Sequence, residues 1–454
     1  MSSELRAVSL FSNCGAGDVG YAEAGFTFDV MAELDPRRLS VALQNHRNAV
    51  GVPGDLRDTW TDVVSEWQKR HGAARPALLA ACPPCQGMSS ANSGRGHQHD
   101  HEAGGRDPRN LLVTVIAKVA AALKPRVIVV ENVPAFLTRA VPNPADGSPV
   151  SAALLLTEAF ADEYAVFAML GDMSDWGVPQ RRRRAFLTLV RKDEPGYAAL
   201  LEQGRTPFPR PTHAIDYGGR PVTLRESLTT LDARPLDAST KTTASDPIDP
   251  LHIVPVWEDF RYKMVKAIPP NTGRGAWANN SCSVCDVESH SAEAAVCAEC
   301  GERLLRPVVR DKDGSWRLVR GFRTTSYTRM VADEPASTVT TASGHIGSDK
   351  TIHPWENRVL SMRECAHLQT LPPSFVWGDA LSKWGHTNVR EMIGEAVPPA
   401  FTAKHGLAIR TVLGPKNYLP LLIDADHRVI RAQQRLEDAR ERVASVALGS
   451  LADA

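Results

Sequence analysis

The grouping with the clearest chemical potential in this 454-residue chain is Pro83-Pro84-Cys85-Gln86-Gly87. Two prolines fix their own φ angles and restrict the residue before each, so Cys85 is held rigidly at the end of an apolar run. A thiol becomes a nucleophile only where positive charge or backbone donors favour its thiolate; on this motif alone an inert buried cysteine is the alternative. Glu131-Asn132-Val133 follows the apolar run Val127–Val130. A carboxyl group there could act on a ligand at a strand end or simply cap a helix. Gln180-Arg181-Arg182-Arg183-Arg184 leads into Ala185-Phe186-Leu187. In extended chain Gln180, Arg182 and Arg184 share one face, and Arg181 and Arg183 share the other. One face could serve chemistry and the other phosphate, or the run could be solvated throughout.

A further constellation is Leu10-Phe11-Ser12-Asn13-Cys14-Gly15-Ala16-Gly17, with Glu33 about twenty residues on. Small residues between a strand and a helix let backbone approach a nucleotide-like cofactor, and the acid could accept from both ribose hydroxyls. A bare structural turn reads equally well. Cys282-x-x-Cys285 and Cys297-x-x-Cys300, separated by eleven residues, have the spacing of a tetrahedral zinc site. Disulfides fit a reducing compartment poorly, and four thiolates leave no open position for catalytic zinc. His97, His99 and His101 lie in a polar stretch that reads as a solvated loop, not a metal site.

These residues need a scaffold, and residues 6 to about 190 supply one. Short β-type runs at Ala7–Phe11, Phe26–Ala32, Leu78–Ala81, Val127–Val130 and Ala185–Val190 alternate with helical patterns at Asp35–Asn45 and Leu111–Leu123. Such alternation predicts an α/β domain with a mainly parallel sheet. From Lys192 to about His353 the chain turns to Pro, Gly, Asp and Thr, which predicts a second, less regular domain. Regular apolar spacing returns at Val359–Leu371 and Phe401–Ile409, and Asp426–Val446 is an amphipathic helical pattern expected to pack on the body.

The chain has 43% hydrophobic and 23% charged residues, ordinary for a globular protein, and a formal net charge of +0. No global basic field is present, so any nucleic-acid surface must be a local patch. The longest apolar stretch, Leu111–Val130, is broken by Lys118, Lys124 and Arg126, and Met1–Leu10 lacks a signal-peptide pattern, so a cytoplasmic protein without a membrane segment is expected.

Together these motifs resemble the DNA (cytosine-5) methyltransferase family. Gly54-Asp55-Leu56, Arg109-Asn110-Leu111, Arg363-Glu364-Cys365-Ala366-His367-Leu368-Gln369 and Ile393-Gly394-Glu395-Ala396-Val397-Pro398-Pro399 extend the likeness, which covers residues 6–190 and 353–410. The resemblance implies a doubly wound, Rossmann-like S-adenosylmethionine-dependent domain formed by residues 1–194 and 353–410. It also implies a target-recognition domain at 195–352, with the four-cysteine zinc lobe at 282–300, and leaves a helical extension at 411–454. It places Phe11, Asn13, Cys14, Gly15, Ala16, Glu33, Leu34, Asp55, Leu56, Pro84, Leu111, Glu395, Ala396 and Val397 around the cofactor, with Glu33 on the ribose and Asp55 on the adenine amine. Cys85 would attack carbon 6 of a cytosine rotated out of the duplex. Glu131 would hold ring nitrogen 3 and the exocyclic amine, and Gln180, Arg182 and Arg184 would complete the catalytic set by positioning the base. Thr338 would face DNA.

The chain departs from the family pattern where Asn13 and Ala16 replace glycines, Ser9 stands in place of a frequent aspartate, and Glu395 replaces an asparagine. Asn tolerates positive φ and Ala adds one methyl, so a tighter but working pocket is expected. The implied setting is a monomeric bacterial or phage modification enzyme acting on double-stranded nucleoid DNA in the cytoplasm, with a cognate restriction endonuclease as a companion. An RNA cytosine methyltransferase, a silent DNA-binding relative and a nicotinamide enzyme are the competing readings. The long cysteine-bearing insert disfavours the first, and the joint presence of Cys85, Glu131, Gln180, Arg182 and Arg184 disfavours the second. Only the small-residue turn supports the third.

Overall fold

The structure is a computed structural model that describes residues 5–84, 107–288, 290–414 and 421–452, with side chains as far as residue 443. The first nine strands are β1 (Leu5–Leu10), β2 (Phe26–Glu33), β3 (Val50–Pro53), β4 (Leu78–Ala81), β5 (Val127–Asn132), a small hairpin of β6 (Ala140–Pro142) and β7 (Pro149–Ser151), then β8 (Tyr164–Asp172) and β9 (Arg183–Arg191). Seven of them form one sheet in the order β3-β2-β1-β4-β5-β9-β8. The first five run parallel, whereas β9 is antiparallel to both β5 and β8.

Helices cover both faces of the sheet, which is why β4 and β5 are buried along their whole length and read as unbroken apolar runs. On one face α3 (Leu56–His71), α4 (Val113–Leu123) and α5 (Ala152–Thr157) bury Trp67, Ile116 and Leu154 against Val8 and Ile128. On the other, α1 (Ala16–Glu23) and α2 (Pro36–Asn45) lie with α6 (Tyr197–Glu202), which contributes Leu200 to a core built on Phe28 and Met31. Beyond these come α7 (Leu224–Leu231), α8 (Asp259–Lys266), α9 (Met362–Leu368), α10 (Gly385–Glu395), α11 (Pro399–Leu413) and α12 (His427–Ala452).

Helix α11 returns to the sheet and buries Phe401 and Ile409 with Phe28 and Met31. In contrast α9 and α10 share an apolar cluster with Leu224 and Leu228 of α7, and that cluster also takes in Cys14, Ala16 and Val41. The segment 353–410 therefore bridges the sheet domain and the irregular region. That region has a core of its own around Leu236, Trp257, Ile268, Ile352 and Val359. The chain winds outward from β1 to β3, returns through the centre, and continues from β4 to β5. The reversal falls between β1 and β4, and their carboxyl ends mark the place where open α/β sheets bind ligands. No described helix is long and apolar enough to cross a membrane.

Candidate active site

A cleft of about 2070 Å³ opens at the carboxyl edge of the sheet, bounded by the ends of β1, β2, β4 and β5 and by residues 337–349 of the irregular region. At its cofactor end the turn after β1 is tightly wound: Phe11, Asn13 and Gly15 all have positive φ, at 56°, 48° and 74°. Gly15 is the N-cap of this eight-residue helix α1 and offers no side-chain cap to its first backbone N–H groups, of which Ala16 N–H is directed at the Cys14 thiol. A Cβ on Gly15 would meet the His46 ring at 2.9 Å, and His46 Nε2 already contacts the Gly15 carbonyl at 3.0 Å. Asn13 meets the positive-φ requirement and donates its side-chain amide to the Met392 carbonyl at 2.9 Å.

Glu33 closes the pocket from the end of β2. Its two carboxylate oxygens accept from the backbone N–H groups of Asn13 at 2.9 Å and Asp35 at 3.1 Å, leaving a lone pair on each for a diol. Burial pushes its carboxyl up from the ordinary range, against the two backbone N–H bonds and Arg38, which lower it. Leu34, 65% exposed, presents a bare apolar face at the rim. Arg38 is engaged by Glu395 and Glu391, so the acid at 395 is held by a neighbouring guanidinium at the mouth of the pocket. Gly394, Ala396 and Val397 line the same wall. Unanticipated from sequence, Ser9 donates to Asp18 at 2.8 Å, and burial raises that carboxyl to about 7.

Other residues expected around the cofactor also have partners within the protein. Asp55 caps α3, accepting from the Arg57 backbone at 2.9 Å and from its guanidinium at 2.6 Å. The Leu56 and Leu111 side chains pack with the core on the α3/α4 face. The Cys14 side chain is buried with Val41, and burial pushes its thiol up to about 12.

Cys85 falls outside the described residues, as do His97, His99 and His101. Pro83 and Pro84 line the cleft, and the Asn132 side-chain amide donates to the Pro83 carbonyl at 3.0 Å, tying the β4 loop to the end of β5. Beside that tie Glu131 receives the Arg184 Nε–H at 2.8 Å and the Cys82 thiol at 2.8 Å. Arginine and thiol thus aim one buried carboxylate into the cleft.

The alternation read from the basic run holds: Gln180 and Arg182 are buried, Arg181 and Arg183 exposed. The inner pair joins segments. Arg182 donates to the carbonyls of Val339 and Gly394, each at 3.1 Å, and its own N–H is held by Asp172 at 3.0 Å. Gln180 donates to Leu368 O and accepts from the Val339 N–H. Thr338 lines the cleft and donates to the Arg181 carbonyl at 2.5 Å. Gly394 is packed so closely on the backbone of Thr340 and Thr341 that a side chain there would collide with it. Cys82 and Asp172 escaped the sequence reading, whereas Asn132 and Gln369 stand in motifs quoted there without a role of their own.

The four cysteines of the two CxxC pairs are free thiols whose sulfurs lie within 4.8 Å of one another. Cys282 and Cys300 are 3.5 Å apart and Cys285 and Cys297 3.6 Å, close to the roughly 3.8 Å edge of a tetrahedral zinc–thiolate site. Backbone N–H groups directed at Cys282 and Cys297 lower both thiols, the second to about 6. The donor set fits zinc.

A parallel sheet extended by an antiparallel pair, with a tight small-residue turn after β1 and a guided carboxylate at the end of β5, defines an α/β methyltransferase. Residues 5–410 match the sequence pattern of the C-5 cytosine-specific DNA methylase family, and the chain belongs to it: it is a DNA cytosine-5 methyltransferase, of a family that uses S-adenosylmethionine. Among its relatives, the type II methyltransferase M1.HgaI of Avibacterium volantium is 26% identical over 408 residues, spanning 88% of this chain and 96% of the relative. M.DdeI of Desulfomicrobium norvegicum is 22% identical over 413 residues, covering 87% of this chain and 86% of that protein. In fold, the Entamoeba histolytica methyltransferase EhMeth aligns with a TM-score of 0.51 at 12% identity, over 91% of this chain and all of the other.

Proposed function

We propose that this enzyme methylates carbon 5 of a cytosine rotated out of duplex DNA, with Cys85 as nucleophile, as the modification arm of a type II restriction-modification system. The observation that carries the reading is the joint placement of Glu131, Arg184 and the Asn132–Pro83 tie at one end of the cleft. The Cys85 thiolate forms a bond to carbon 6, and electron density moves onto carbon 5. Glu131 steadies ring nitrogen 3 and the amine as charge builds, and Arg184 keeps that carboxylate aimed. S-adenosylmethionine, when bound, supplies the methyl group as an electrophile. Carbon 5 then loses its proton, the ring double bond reforms and Cys85 leaves. Glu33 and the N-terminus of α1 fit the ribose and the polar end of the cofactor, and Leu34 offers apolar cover for its base. Rotation of the base is required because carbon 6 is inaccessible in the stack.

Zinc on Cys282, Cys285, Cys297 and Cys300 would staple a lobe whose apolar cluster is only Cys282, Cys297 and Leu304 with Val287 and Ala294 against it. We assign residues 1–194 and 353–410 to catalysis and 195–352 to target recognition. The companion restriction endonuclease, the monomeric state and action on nucleoid DNA in the cytoplasm belong to the same reading.

Trapping tests the mechanism. Fluorine at carbon 5 of the target cytosine cannot leave as a proton does, so wild-type enzyme with S-adenosylmethionine should form an adduct that survives denaturing electrophoresis. C85S should not form it, while C14S, C82S and C365S should. An adduct in C85S, or acceptance of structured RNA in place of duplex DNA, would refute the reading.

A further inference from the structure

Helix α12 lies beyond the residues matched by the family pattern, which end at 410. It is fixed to the body. Val429, Ala432, Leu436 and Ala439 are buried, the last three in the same core as Ile128 and Leu154. At its start Arg428, 5% exposed, is clamped by Asp175 at 2.7 Å, Asp216 at 2.9 Å and Asp426 at 2.6 Å. A helix held in this way presents its remaining side chains at set positions.

Two of those side chains differ from the other arginines of the helix. Arg440 pairs with Glu158 at 3.5 Å and Glu437 at 3.9 Å, as a solvated helix surface usually does. Arg431 and Arg435 are exposed, stand one turn apart, and have no carboxylate within 4.0 Å among the described residues. Like charges at this spacing weaken a helix slightly. Both line the large cleft, together with Arg139 and Arg183. In a chain with net charge +0, a polyanion must be drawn in by such local groups.

We propose that Arg431 and Arg435 are a phosphate-binding edge: α12 holds the backbone of the DNA duplex at the margin of the cleft, adding affinity without reading sequence. The inference rests on duplex DNA as substrate and assigns to the C-terminal helix a part in binding it. Phosphate contacts of this kind set position and salt dependence and carry no base information.

The test is equilibrium binding of the full-length protein to a fluorescent duplex containing its target, and to one lacking it, across a potassium chloride series. R431A/R435A should flatten the slope of log affinity against log salt by about 2, since each lost contact removes roughly 0.9. It should weaken both duplexes by the same factor, and R431K/R435K should restore most of the loss. R440A should leave the slope as in wild type. Matching melting temperatures establish that the variants fold. An unchanged slope in R431A/R435A, or weakening confined to the target duplex, would overturn the proposal. Failure of the wild-type protein to methylate the duplex would count against the enzymatic reading instead.

Discussion

Gln180 donates its side-chain amide to the Gln369 side-chain oxygen at 2.7 Å, with both residues fully buried. Gln369 in turn donates to the carbonyls of Ile393 at 2.6 Å and Ala396 at 3.0 Å, while Gln180 reaches Leu368 O at 2.8 Å and the Val339 N–H at 3.0 Å. Two amides thus join the basic segment, α9, the cleft wall at 393–396 and the irregular region. Q180A and Q369A should each lower stability by about 1–3 kcal/mol, because buried partners are left unpaired. The double variant should lose less than the sum, as expected for groups in one network. Urea denaturation of the single and double variants checks both statements.

Arg184 and Glu131 form the second testable pair. R184A removes the guanidinium that aims the carboxylate, and should lower kcat by about 10²–10³ with S-adenosylmethionine affinity unchanged. E131Q keeps the shape and loses the charge, and should reduce kcat at least as far. Single-turnover methylation with saturating DNA separates these losses from binding.

Glu33 and Asp55 should behave differently. E33A removes an acceptor inside the pocket and should weaken S-adenosylmethionine binding by about 1–3 kcal/mol. D55A removes the cap of α3 and should lower stability by about 0.5–2 kcal/mol. Calorimetric titration and thermal melting of both variants make the comparison. Because burial raises the Glu33 carboxyl, lowering the pH protonates it sooner than an exposed acid. Cofactor affinity in wild type should therefore fall with pH more steeply than in E33Q.

Asp18 supplies a pH dependence of stability with a definite sign. Its folded-state value of about 7 lies above the unfolded value of about 3.9, so the folded protein holds the extra proton between them. Stability from this group is greatest below pH 4, declines as pH rises to about 7, and stays reduced above that. D18N should melt higher than wild type at pH 8, by an amount corresponding to a few kcal/mol, since each tenfold difference in proton affinity between the two states is worth roughly 1.4 kcal/mol. The advantage should vanish near pH 4. Melting curves across this range decide it.

For the cysteine lobe, elemental analysis should find about one zinc per chain. Chelation should expose residues 279–306 to protease before the sheet domain, although Arg306 also ties the lobe, donating to Asn279 O at 2.6 Å and Ala294 O at 2.8 Å. C282S/C297S should cleave at the same positions without a chelator.

The central strands were legible because burial on both faces leaves continuous apolar runs, as in Val127–Val130. The strand Val50–Pro53 was not, being four residues that include Gly51 and Pro53. Nor was Tyr164–Asp172, an edge strand of irregular burial. Period two in the basic run foretold which arginines turn inward, but not that Arg182 would bind carbonyls 157 and 212 residues away. Links of that range, like the Gln180–Gln369 pair, leave no trace in local spacing. Arg431 and Arg435 were equally hidden, since on a charged helix they look like Arg440 until the cleft is seen.

The contact of Gly394 with Thr340 and Thr341 bears on how such an enzyme can acquire a new target. The Arg181 N–H donates to Ala336 O and the Ala336 N–H to Pro179 O, so residues 336–341 are built into the catalytic body on two sides. A graft of the whole irregular region from a relative would import a foreign ribbon against Gly394 and Arg182, and the cleft wall would shift with it. A transplant that keeps residues 336–341 in place would leave the Arg181–Ala336 and Ala336–Pro179 bonds and the Gly394 contact undisturbed.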